Sequence, residues 1–336
     1  LTRYRQSIDA ITPLVKKITQ NGISFEYEYD SRGNIVSEKR GNLTTTYAYD
    51  ALGQLIRVND PHENATWVYN YDRGGNITSK VKYAYTTGTL GAAVETIPYT
   101  YGDANWKDKL TTYNGKTIPY DAIGNPLNDG TWTYTWQNGR QLQKMQKSGV
   151  TAEFVYNADG LRVQKTVNGV ATKYTLHGKN VVHMTSGTDE LHFFYDAQNK
   201  PAVVLFNGIA YAYLYNLQGD VMGLVDTRGN SVASYTYDPY GKVLTATGTL
   251  AEKNPLRYRG YYYDSESGLY YLQSRYYDPA TRRFVNADAY ASTGQGIIGT
   301  NMFAYCNNNP VLYHDTDGTI AITTLILVGS IVVGAV

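Results

Sequence analysis

With 336 residues and a net charge of +1, the chain has room for one large or two modest domains and offers no electrostatic case for nucleic acid. Its single cysteine, Cys306, excludes an internal disulfide framework and reads as a small buried hydrophobe. The anomaly is tyrosine, 34 residues against 7 phenylalanines; a ring carrying a hydroxyl suits a wall with one dry face and one wet face.

The chain starts at Leu1 rather than Met, as a fragment of something longer would. Segment 7–20 has spacing that passes for a helix, but Pro13 in its middle argues against one, and it reads as a degenerate copy of a repeat that begins at Tyr27. From there a pattern Y-x-Y-D-x-x-G-N recurs: "YEYDSRGN" (27–34), "YAYDALGQ" (47–54), "YNYDRGGN" (69–76) and "YTYDPYGK" (235–242). Weaker copies fill the interval, and Tyr-Asp steps occur eight times in all. Tyrosines two apart share one face of a strand. Asp then opens a type I turn, and Gly takes the left-handed position that follows it in a three-residue hairpin loop. One copy is therefore one hairpin. A lone hairpin is marginal in water, so the copies must stack. With polar turns and no linker, the spacing predicts one continuous antiparallel β-array to about residue 250. Beyond it, "YRGYYYDSESGLYYLQSRYYDPATRRFVNAD" (258–288) concentrates tyrosine and arginine, and residues 319–336 carry no charge.

These units resemble the YD repeats of the Rhs family, and residues 254–318 are similar to its repeat-associated core, with R-Y-Y-D-P, R-F, Asn-Asn-Asn-Pro and Asp-x-x-Gly in order. The resemblance implies an all-β fold in which antiparallel hairpin repeats spiral into a hollow shell, or cocoon, closed by an inward-curling plug. It divides the chain into a repeat shell (1–250), a core (251–318) and the apolar start of a C-terminal effector or translocation segment (319–336). It implies a secreted, cell-surface or cell-wall protein that houses and presents its own effector, with an immunity protein as a further partner. The alternative is a recognition or adhesion protein without proteolysis that binds a cell-surface glycan through its aromatic rings.

In toxin members of that family, two Asp motifs act together as an aspartyl-protease-like pair that cuts the chain after the core. By position these are Asp288 and Asp315, with Asp317 a neighbour and the cut near Thr319-Ile320. The resemblance implies at most this one-time self-cleavage as enzymatic activity. Such chemistry needs two carboxylates that share a proton, one as base towards water and one as acid. The sequence departs from the family motifs at Ala289, Thr316 and Thr319, and Asp-x-x-Gly independently suits a turn. Arg275, Arg282 and Arg283 read as partners of carboxylates and tyrosine rings. The five histidines show no metal-ligand spacing in sequence, so no metal or cofactor is expected. As a helix, 319–336 would be about 27 Å long, enough to enter a membrane once released; packed as an apolar strand it would stay with the shell.

Overall fold

The computed structural model describes residues 14–294 and 296–323, together with the backbone of 5–8. Strands Arg5–Ile8 and Val15–Gln20 pair antiparallel, so the described parts of segment 7–20 are strand; Pro13 lies outside the described residues. Within each sheet, every strand pairs with its neighbours in sequence. Eleven strands between Arg5 and Thr117 form one sheet, and twelve between Thr133 and Thr247 form a second. The array is thus divided where a single ladder is expected: segment 118–132 carries only isolated bridges, Tyr120 with Pro126 and Asn128 with Thr133. The sheets are open rather than closed barrels.

The repeat explains itself at the turn. Gly33 N–H donates to the Asp30 carbonyl (3.1 Å) and Asp30 N–H to that of Asn34 (2.9 Å). The pairing slips at Glu28/Tyr29, which marks a bulge, and Gly33 sits at φ 83°. The Asp30 carboxylate takes the N–H of Arg32 and Asn34 on one oxygen and the Asn34 amide on the other. The same clamp recurs at Asp50/Gln54, Asp72/Asn76, Asp121/Asn125 and Asp226/Asn230. At Asn216/Asp220 the two residue types have exchanged places and the bond survives.

The second tyrosine of each copy is needed for its hydroxyl. Tyr29 donates to the Val15 carbonyl, Tyr49 to Ile35, Tyr71 to Leu55, Tyr156 to Leu142 and Tyr195 to Val181, all at 2.6–2.8 Å. Each bond satisfies a main-chain acceptor beside the preceding turn, which Phe could not do.

The first tyrosine of the strong copies points inward, and what it meets is protein. Tyr27 and Tyr69 pack with Leu217, Tyr240 and the later residues Tyr258, Tyr270, Tyr277, Phe284 and Tyr305 in one buried cluster. Within this chain, segment 254–311 covers the inner faces of both sheets. It carries a four-stranded sheet, Tyr262 to Phe284, and a two-stranded one pairs Tyr313–Asp315 with Ala321–Thr323. Buried ion pairs tie it to the wall: Asp264 receives Arg162 at 2.6 Å and Lys165 at 2.8 Å, and Arg282 meets Asp238 at 3.0 Å.

Candidate functional site

Arg275 lies between strands Leu269–Tyr271 and Tyr276–Asp278, where Leu272 N–H closes a tight turn on the Arg275 carbonyl (2.9 Å). Its guanidinium stacks on Phe284, with 3.5 Å from its carbon to the ring centroid. The turn aims the side chain at the point where Asp288 and Asp315 converge. Asp288 follows strand Arg283–Phe284 and is fixed by its own N–H on the Met302 carbonyl (2.8 Å). Asp315 ends strand Tyr313–Asp315, and its N–H is held by the Tyr261 hydroxyl (2.9 Å).

One guanidinium nitrogen of Arg275 contacts both carboxylates, Asp288 Oδ2 at 2.9 Å and Asp315 Oδ2 at 3.6 Å. All three side chains are buried. The two carboxylates are thus brought together across a cation, where the sequence leads one to expect a directly shared proton. Each Asp also shapes a turn with its other oxygen. Asp288 Oδ1 accepts Tyr290 N–H; Asp315 Oδ1 accepts Gly318 N–H at 2.8 Å and Thr319 N–H at 3.0 Å. Turn-forming and pairing are therefore combined in the same residues. Asp317 points away, towards Lys179 at 2.6 Å.

Burial pushes the Asp315 carboxyl above the ordinary carboxylate range, against the pull of Arg275 and of the Gly318 and Thr319 N–H groups. Burial also draws the Arg275 pKa down, opposed by Asp288 and Asp315. Arg275 Nε donates to the Gly318 carbonyl, a contact that sequence reading missed. The Gly318–Thr319 peptide is held at both polar ends, its oxygen by Arg275 and its N–H by Asp315. A cavity of about 20 Å³ borders Arg275, Asp288, Asp315 and Thr319, room for a single water molecule, which needs roughly 10–15 Å³.

The other two arginines serve packing. Arg282 pairs with Asp238 and lies over Trp67, Tyr69 and Tyr240. Arg283 donates to Asn76, the Tyr101 hydroxyl and the Asp108 carbonyl. Cys306 is buried, and its thiol pKa is raised by that burial. The apolar tail is described only as far as Thr323, where Ala321–Thr323 forms a strand; residues 324–336 lie outside the described residues. No helix among the described residues is long and apolar enough to cross a membrane.

The family model described as Teneurin YD-shell matches residues 15–311. The tRNA3(Ser)-specific nuclease WapA of Bacillus spizizenii is 36% identical, over 90% of this chain and 14% of that protein. Toxin protein Tse5 of Pseudomonas aeruginosa is 26% identical, over 91% of this chain and 26% of its own. Among solved structures, the Photorhabdus luminescens Tc holotoxin pore superposes with a TM-score of 0.72 at 20% identity, covering 95% of this chain and 18% of that one. The complex titled TcdB2-TccC3 gives the same TM-score at 21% identity, over 94% of this chain and 18% of that one. At these identities the structural likeness is one of fold. The chain spans about one seventh of the WapA length that it matches, at 14%.

Proposed function

The chain belongs to the Teneurin YD-shell family, and from that premise we propose that it is the closing portion of a toxin's encapsulating shell. Residues 1–250 serve as wall, 251–318 as the plug that fills its end, and 319–336 as the first stretch of an enclosed effector or translocation segment. The protein acts outside the cell that makes it, secreted or held at the surface, with an immunity protein protecting the producer. The observation that supports this reading best is where the chain leads. Thr316, Asp317 and Thr323 line a cavity of about 490 Å³, between the second sheet and the plug.

The same reading assigns Asp288 and Asp315 to a single self-cleavage. Asp288, ion-paired to Arg275, takes a proton from water as the oxygen attacks the scissile carbonyl carbon. Arg275, already donating to the Gly318 oxygen, holds the charge that develops there. Asp315, whose burial favours its protonated form, delivers a proton to the departing amide nitrogen. Water is consumed; a carboxylate and an amine result. The bond held at both ends is Gly318–Thr319, one residue before the position that the family motif implies. Because the reaction is intramolecular, a high effective molarity offsets the departures at Ala289, Thr316 and Thr319.

Intact-mass spectrometry of the purified chain tests this. A fragment ending at Gly318 or Thr319 is expected; Asp288→Asn and Asp315→Asn should remain whole while still folding, since Asn also serves in turns. If either variant yields the short fragment, the pair is wrong. If the unaltered chain is never cut, the same shell acts in recognition without proteolysis, the reading that the Ala289, Thr316 and Thr319 substitutions favour.

A further inference from the structure

Strands Asn180–Ser186 and Asp189–Tyr195 form a hairpin in the second sheet, joined by Gly187 and Thr188. Its register sets His183 opposite His192 and Thr185 opposite Glu190. Residues two apart on a strand share a face, so His183, Glu190 and His192 stand together on one side of the hairpin. Met184, Leu191 and Phe193 occupy the other side and are buried in the core with Tyr262. The two imidazoles and the carboxylate are therefore on the wet face, and all three side chains are partly or largely exposed.

The geometry is convergent. His183 Nε2 stands 3.0 Å and His192 Nε2 3.3 Å from the same oxygen, Glu190 Oε1. The rings are stacked with centroids 4.4 Å apart. One ligand atom from each residue lies within 4.8 Å of the other two. Ligand atoms around a tetrahedral Zn²⁺, with bonds of about 2.0–2.1 Å, stand about 3.3 Å from one another. The nitrogen–oxygen separations already match that edge, and the exposed side chains can open to admit an ion with small rotamer changes. Two imidazoles and a carboxylate form a donor set suited to borderline divalent transition metals, and three protein ligands leave a position for water or an exogenous ligand.

We propose that His183, Glu190 and His192 form a binding site for a divalent transition-metal ion of the Zn²⁺ class on the outer face of the wall. The site is independent of Asp288 and Asp315. An ion bound there joins two adjacent strands and adds stability to that hairpin by mass action.

Titration of the full chain with ZnCl₂ by isothermal calorimetry should give one saturable site per chain. Co²⁺ should give the visible absorption of a four-coordinate ion. Both signals should be lost in the His183→Gln/His192→Gln double variant and retained in His177→Gln, a histidine on the neighbouring strand outside the cluster. Zn²⁺ should raise the Tm of the unaltered chain and leave that of the double variant unchanged; both proteins should melt alike without metal, because the two histidines face solvent. Absence of saturable Zn²⁺ binding, or its persistence in the double variant, overturns the proposal.

Discussion

Substituting Asp264 by Asn tests how the plug is locked to the wall. Asp264 lies on the first strand of the four-stranded sheet, and its side chain is 1% exposed. It receives Arg162 through two bonds, 2.6 and 3.1 Å, and Lys165 at 2.8 Å. Asn keeps the shape and removes the charge. Lys165 then retains Glu266 at 2.9 Å, whereas Arg162 loses its counter-charge and one of its two bonds, keeping the amide oxygen as a neutral acceptor, the Tyr276 hydroxyl at 3.2 Å and the face of Tyr271. Removing one partner of a buried pair costs about 3–5 kcal/mol, because the other charge stays buried without compensation. The surviving Lys165–Glu266 contact places the expected loss near the lower limit, about 3 kcal/mol. Thermal and urea unfolding should show it as several degrees of Tm and a lower midpoint. Replacing the ion pair, Arg162→Met with Asp264→Leu, while Lys165 stays paired with Glu266, should recover most of the loss, since no unpaired charge then remains. Burial would raise the Asp264 pKa, but Arg162 and then Lys165 overcome it and hold the carboxyl below its ordinary value. The pair therefore contributes fully above the unfolded pKa of about 3.9 and loses its contribution as pH falls through the lower folded value. The Asn variant should lack that part of the acid limb. A cost of under about 1 kcal/mol for Asp264→Asn would refute the argument, since an exposed ion pair is worth that much.

Other substitutions probe the repeat. Tyr49→Phe removes the bond to the Ile35 carbonyl (2.7 Å) and should cost about 1 kcal/mol in urea unfolding, with no change in sheet content by circular dichroism. Gly241→Ala should destabilise more than Gly22→Ala: both backbones have positive φ, but a Cβ at 241 would stand 2.5 Å from the Tyr258 ring and one at 22 meets open space. Equal losses in the two variants would show that backbone strain alone is responsible. Glu38 bears some exposed surface but is hemmed in by protein, and that burial, with Asp220 nearby, pushes its pKa up to about 7. Its folded form holds the proton more tightly than the unfolded form, so stability should decline as pH rises from about 4.3 towards 7. Glu38→Gln should flatten that decline in urea midpoints measured across the range.

The wall was legible in the sequence because its determinants are local. Asp30, Gly33 and Asn34 lie within five positions and carry their own turn chemistry, and the Tyr27/Tyr29 alternation declares the strand. The division at 118–132 was not legible: the Asp121/Asn125 clamp is intact there, and only the strands around it are too short to continue the ladder. Asp288 and Asp315 came from resemblance, since no local pattern joins them. That Arg275 stands between them depends on how the plug folds, which no spacing in sequence encodes. That His183 stands opposite His192 could have been found, because a two-residue Gly187-Thr188 loop dictates it, and spacing along the chain does not report pairing across a β-hairpin.

The meander has a consequence for how the molecule is made. Within each of the two sheets every strand pairs with the one just before it, so a nascent chain can close each hairpin as it emerges, without waiting for distant sequence. Yet the partners of Tyr27 and Tyr69 include Tyr277 and Tyr305, which are translated after the whole wall. Until then the growing wall holds a row of aromatic rings that lack their cover from segment 254–311, a state prone to self-association. Ribosome pausing before residue 254, or truncation there, should leave a chain rich in β-structure that binds hydrophobic dyes and chaperones. Synthesis of segment 254–311 then supplies the cover that the wall rings lack.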